Sequence, residues 1–249
     1  MLKQTLIFIF IFISLLKAEE QPQTITFYAE DSLKITADLY MQHQDKTTPF
    51  IILFHQAGWS RGEYIETAPK LNALGFNCMA VDQRSGNAVN TIINKTAKRA
   101  KEQGLATNYL DAYPDMVAAI EFASANYSDN KLIIWGSSYS AALVLHIAGQ
   151  RDDIDGVLAF SPGEYFQKAG KPEDWIQSSA KNIQVPVFIT SAKGEKSYWT
   201  EIYDAISDEN KTAFLPETDG NHGSRALWEK FEDSEAYWEA VKEFLKKLY

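Results

Sequence analysis

Through its middle the chain reads Lys131-Leu132-Ile133-Ile134-Trp135-Gly136-Ser137-Ser138-Tyr139-Ser140-Ala141-Ala142-Leu143-Val144-Leu145-His146-Ile147-Ala148. A short apolar run is followed by a cluster of small residues and then by an apolar segment of helical composition. A buried strand that ends in a tight turn and re-enters the fold as a helix holds the residue at the bend in a strained, exposed position. That arrangement is the nucleophile elbow, G-x-S-x-G. Small residues two positions either side of the serine let the strand and helix backbones pass closely. Gly136 and Ser140 occupy those positions around Ser138. Ser137 does not qualify as the central residue, because Trp135 and Tyr139 would then flank it.

Further short, nearly continuous apolar runs lie on both sides of this segment, at Phe50–Phe54, Asn77–Val81, Gly156–Phe160 and Val185–Thr190. Such runs are what strands covered on both faces require. Thr24–Ala29 and Leu33–Tyr40 precede them, and the alternation in the second predicts a half-buried antiparallel pair. Helices are predicted over Glu63–Leu74, Ala112–Ala125, Ser138–Ala148 and, after a last strand at Lys211–Leu215, as one long amphipathic helix from Ser224 to Leu248. Strands alternating with helices imply an α/β fold with a mostly parallel sheet and right-handed crossovers. The connections over 82–107 and 161–182 leave C-terminal strand ends, the side on which open α/β sheets bind ligands. Neither is long enough for a large lid domain.

Residues 1–18 have the order of an export signal: Met1-Leu2-Lys3, then an apolar run from Leu6 to Leu16, then Ala18 ahead of Glu19-Glu20. The run is shorter than the roughly 20 residues that span a bilayer, so no membrane span is expected after cleavage. Residues 19–249 then form one domain. The formal charge of −9 becomes about −11 when Lys3 and Lys17 leave, a balance that repels nucleic acid. The one cysteine, Cys78, lies in an apolar run and reads as a small buried hydrophobe. Export without a disulfide points to a bacterial periplasm or the medium, and Asn94, Asn126 and Asn210 then match the glycosylation triplet by chance.

A serine hydroxyl needs a base beside it and an acid behind that base. Of the four histidines, His43 sits in a polar loop, and His55 ends the Phe50–Phe54 run and braces the loop that follows. His146 stands eight residues beyond Ser138 on the same helix, roughly 12 Å along its axis, out of reach of Ser138, and reads as a core or helix-face histidine. His222, in Asp219-Gly220-Asn221-His222-Gly223 after the last strand, is the candidate base. The acid should lie between serine and histidine in the chain. Glu195 stands just past the Val185–Thr190 strand, and Glu164, after the preceding strand, is its rival. The oxyanion donors are the Tyr139 N–H and an N–H from His55-Gln56-Ala57-Gly58, where Gln56 fits better than Ala57. Trp59, Tyr64 and Tyr139 are placed to line a pocket, and Arg84 to meet a substrate carboxylate.

With these residues in order, the chain resembles the α/β-hydrolase superfamily, and within it the dienelactone-hydrolase-like group. Phe54-His55-Gln56-Ala57-Gly58, the Ser138 elbow, the Pro186 strand leading to Glu195, and Gly220-Asn221-His222-Gly223 carry the resemblance across nearly all of residues 19–249. It implies an α/β-hydrolase fold: an eight-stranded sheet, first strands antiparallel, helices on both faces, and hydrolysis through an acyl-enzyme. Dienelactone hydrolases use a cysteine nucleophile where this chain has Ser138, which points to esters, or thioesters, in general. Glu195 in place of the commoner Asp and Ser140 in place of glycine are further departures. No cluster has metal-ligand spacing, so no metal or organic cofactor is implied. A peptidase or amidase on the same three residues, and a binding protein of the same fold without catalysis, are the alternatives.

Overall fold

The computed structural model describes residues 21–43 and 45–248, and the leader expected over residues 1–18 lies outside them. Eight strands form one sheet: β1 Gln23–Tyr28, β2 Lys34–Tyr40, β3 Phe50–Phe54, β4 Asn77–Asp82, β5 Leu132–Ser137, β6 Gly156–Phe160, β7 Val187–Thr190 and β8 Lys211–Phe214. Their spatial order is β1-β2-β4-β3-β5-β6-β7-β8. β2 runs antiparallel to both neighbours, and every other pairing is parallel. The order reverses between β3 and β5, so the loops leaving those strands converge at one edge of the sheet.

The helices are α1 Thr67–Ala73, α2 Lys95–Glu102, α3 Tyr113–Tyr127, α4 Tyr139–Ala148, α5 Trp175–Ala180, α6 Lys196–Ala205 and α7 Ser234–Leu245. The continuous apolar strands feed two cores. Phe50, Ile52 and Phe54 of β3 face a layer built from α3, α4, α5 and α6, while Ile51 and Leu53 face α1 and α7. Burial of a side chain such as Trp135, which stacks on Phe160 at 4.7 Å, stabilises the fold by roughly 1.5–3 kcal/mol. Cys78 is buried in β4, where burial pushes its thiol pKa up. Among the described residues no helix is long and apolar enough to cross a membrane.

The sequence underpredicts helix in the connections. Residues 82–107 hold a hairpin, Ala88–Val89 against Ile92–Ile93, and then α2, whose start is capped by the Asn94 side chain. Residues 161–182 hold α5 and a short 3-10 turn, not a lid. The long helix predicted from Ser224 is broken. A 3-10 turn, Ser224–Leu227, ends at Trp228, which turns extended (ψ 137) and donates its indole N–H to the Glu63 carbonyl. α7 starts only at Ser234.

Candidate active site

β5 ends at Ser137 and α4 begins at Tyr139, leaving Ser138 as the hinge between them. Ser138 has φ 59 and ψ −121, a backbone region that costs a non-glycine residue about 1–3 kcal/mol. Its N–H is held by the Phe160 carbonyl at 2.7 Å. A Cβ on Gly136 would lie 2.3 Å from the Ser140 carbonyl oxygen, so the first small position admits glycine only. The second position is different. Ser140 Oγ donates to the His55 carbonyl at 2.7 Å and accepts from Gln83 Nε2 at 2.6 Å. The departure from glycine thus ties the elbow to the loop after β3.

His222 reaches the elbow from the loop after β8. Its Nε2 lies 2.8 Å from Ser138 Oγ, and its Nδ1 lies 2.6 Å from Glu195 Oε1. The second Glu195 oxygen accepts from Ser161 Oγ at 2.7 Å, and Ser161 Oγ accepts the Gly223 N–H at 2.8 Å. Acid and histidine loop are therefore fixed by one hydroxyl at the end of β6. Gly223, at φ 71, lets the chain turn away directly after His222, and a Cβ there would lie 2.5 Å from Ser137 Oγ. Burial alone would raise the Glu195 pKa. The hydrogen bonds from His222 and Ser161 outweigh it and hold the carboxyl below its ordinary value.

The other candidates lie elsewhere. Glu164 accepts the Ile176 and Gln177 N–H groups at the start of α5 and makes no bond to His222. His146 is buried between Ser179 and Gln150, and burial pushes its pKa down to about 4. His55 is fully buried and braces its loop: Nδ1 donates to the Gln56 carbonyl, and Nε2 accepts from Gln83 N and Asn94 Nδ2.

For the oxyanion, the Tyr139 N–H is the first amide of α4 and has no acceptor among the described residues. The Gln56 N–H is not free: it donates to Glu63 Oε2 at 2.7 Å. The better-fitting of the two sequence choices is thereby corrected: of Gln56 and Ala57, it is Ala57 whose N–H has no acceptor among the described residues. Three pocket residues are corrected as well: the Tyr139 ring is fully buried, its hydroxyl accepting from Gln83 Nε2 at 3.2 Å. Tyr64 is fully buried and donates its hydroxyl to the Phe54 carbonyl. Arg84 is locked between Asp115 and Asp31, with Nη–Oδ distances of 2.6 Å to each, so its guanidinium is not open to a substrate. Trp59 is half-buried and stacks on Trp228 at 5.2 Å.

Sequence reasoning missed two groups here. Tyr165 donates to the Ser161 carbonyl at 2.8 Å and lies beside Ser138 and near the Glu195 carboxylate. Tyr109 stacks on Tyr139 at 4.9 Å, and both Tyr109 and Tyr198 are exposed. Glu63, read as the start of a helix, lies fully buried against the elbow. Among the described residues no cluster of His, Cys, Asp or Glu is placed to hold a metal.

The family model described as "Serine aminopeptidase, S33" matches residues 45–175, just over half of the chain, including the Ser138 elbow. No curated protein sequence matches. Among solved structures, esterase Pf2001 of Pyrococcus furiosus superposes with a TM-score of 0.70 at 19% identity, covering 91% of this chain and 92% of its own. A dienelactone hydrolase from Anabaena variabilis gives 0.67 at 14% identity, over 92% and 99% of the two chains. Est1E from Butyrivibrio proteoclasticus, also solved with ferulic acid bound, gives 0.67 at 15%, over 90% and 98%. At these identities the likeness is one of fold.

Proposed function

The chain belongs to the S33 serine aminopeptidase family of α/β-hydrolases, and we propose that it is a carboxylic-ester hydrolase working through an acyl-serine intermediate at Ser138. The observation that carries this is the unbroken hydrogen-bonded line from Ser138 Oγ through His222 to Glu195, at 2.8 and 2.6 Å. Ser138 Oγ bonds to the ester carbonyl carbon while its proton passes to His222 Nε2. Glu195 holds the Nδ1–H tautomer and stabilises the imidazolium. The tetrahedral oxyanion is met by the Tyr139 and Ala57 N–H groups. Collapse breaks the carbon–oxygen bond to the leaving alcohol, which takes the proton from His222. Water then repeats the sequence on acyl-Ser138 and releases the acid.

An aminopeptidase would also have to neutralise its substrate's α-ammonium. Glu63, Glu164 and Glu195 each have both carboxyl oxygens engaged within the fold. That favours uncharged acyl esters, or thioesters, as the small-molecule substrates. Tyr165 beside Ser138, and the exposed Tyr109 stacked on Tyr139, offer aromatic surface for the acyl or alcohol part. Export to the periplasm or medium, read from residues 1–18, belongs to the same proposal. A panel of p-nitrophenyl acyl esters, acyl thioesters and aminoacyl p-nitroanilides tests the reaction. Turnover should favour the esters by orders of magnitude, and anilides cleaved faster than esters would overturn the assignment.

A further inference from the structure

Glu63 is fully buried, and none of the acyl-transfer steps uses it. It lies on the 3-10 turn Arg61–Tyr64, which is pinned at its start. Ser60 Oγ accepts the Gly62 N–H and donates to the Ile92 carbonyl, while Arg61 pairs with Asp82 at 2.8 Å. Both carboxyl oxygens of Glu63 accept hydrogen bonds from the site. Oε2 takes the Gln56 N–H at 2.7 Å, and Oε1 takes the Ser137 hydroxyl at 2.7 Å. Ser137 Oγ in turn accepts the Ser224 N–H at 2.9 Å, two residues after His222. One carboxylate thus joins the turn before Ala57, the residue before Ser138 and the segment after His222.

We propose that Glu63 is a positioning residue whose ionised carboxylate fixes the oxyanion turn against the nucleophile, and whose protonation releases that turn. The inference rests on the hydrolase reading above. Its chemistry follows from donor counting. The Gln56 N–H can only donate, so a proton on Oε2 has no acceptor there. A proton on Oε1 could go to Ser137 Oγ, but the Ser137 hydroxyl proton would then lose its own acceptor. Only the carboxylate satisfies both neighbours. The titratable and charged groups facing it are Arg225, Tyr64 on its own turn and Tyr139 of α4. Burial holds both phenols neutral. Burial also pushes the Glu63 pKa up to about 7, against its hydrogen bonds and Arg225, so the release falls in the neutral range.

Steady-state kinetics against pH on an activated ester, with wild type, Glu63→Gln and Ser137→Ala, test this. A turn misplaced by about 1 Å costs roughly 100-fold, so Glu63→Gln should lower kcat by roughly 10- to 100-fold while KM stays nearly unchanged. The wild-type acid limb of log kcat should carry a second ionisation, that of Glu63, and Glu63→Gln should lose it. Ser137→Ala keeps the carboxylate and the Gln56 bond but cuts the link to Ser224. It should lose less kcat and keep the second ionisation, which preserves the test if Glu63→Gln does not fold. Wild-type kcat and acid limb in Glu63→Gln, or a loss confined to KM, would overturn the positioning role while leaving the hydrolase reading intact. A wild type that turns over no ester would overturn both.

Discussion

Glu195→Gln removes one charge from behind His222 and leaves the side chain's shape. When His222 takes the Ser138 proton it becomes a cation 2.6 Å, atom to atom, from Glu195 Oε1. The charge centres are then about 4 Å apart, which at an effective dielectric of about 20 corresponds to about 4 kcal/mol. The two side chains are 34% and 21% exposed, so water and salt screen part of this, leaving about 3–4 kcal/mol. At about 1.4 kcal/mol per tenfold, kcat should fall roughly 100- to 1,000-fold. The glutamine amide adds a second hazard: turned with its NH2 towards His222, it would hold the wrong imidazole tautomer. The assay is kcat on p-nitrophenyl acetate, with thermal unfolding followed in parallel. Glu164→Gln is the control. It weakens two N–H contacts at the start of α5, costing about 1 kcal/mol of stability, and should leave kcat unchanged. A Glu195→Gln enzyme keeping more than a tenth of wild-type kcat, or a larger loss in Glu164→Gln, would refute the assignment of the acid.

Arg84→Met should cost about 3–5 kcal/mol in chemical denaturation, because Asp115 stays buried without its partner. KM for carboxylate-bearing esters should not change, and a rise confined to those esters would return Arg84 to the pocket. Glu63 should leave an opposite mark on stability. Its folded pKa, about 7, stands above its ordinary 4.5, so the folded chain holds that proton more tightly than the unfolded chain. The stability of wild type relative to Glu63→Gln should therefore fall by about 3 kcal/mol as pH rises from about 4.5 through 7, measured by urea titration at each pH. A difference that does not vary with pH would show that Glu63 is not raised. Expressed in a bacterial host, the chain should be recovered from the periplasm beginning at Glu19. Cytoplasmic protein retaining Met1 would contradict export.

Strands β3 to β7 were legible because each is buried on both faces, which leaves a continuous apolar run that no loop would carry. The elbow was legible because its geometry restricts residues 136, 138 and 140 together. α2 and α6 were not, since their buried faces are narrow: Thr96, Ala97 and Ala100 in one, Trp199 and Ile202 in the other. The order of Ser138, Glu195 and His222 along the chain anticipated which side chains the fold brings into contact. The choice between Gln56 and Ala57 could not be read from the loop itself. It turns on Glu63, seven residues on, capturing the Gln56 N–H. Burial of that carboxylate depends on three loops meeting, which no local periodicity encodes. Tyr64 and Arg84 misled for a related reason: a polar side chain near a strand end looks the same whether it meets a substrate or an internal partner.

The most direct test of the account is covalent labelling with a fluorophosphonate, read by peptide mass spectrometry. Wild-type protein should carry one adduct, on the peptide containing Ser138, and Ser138→Ala should carry none. An unlabelled wild type, or an adduct that persists in Ser138→Ala, would contradict the claim that the Ser138–His222–Glu195 line is a working nucleophile.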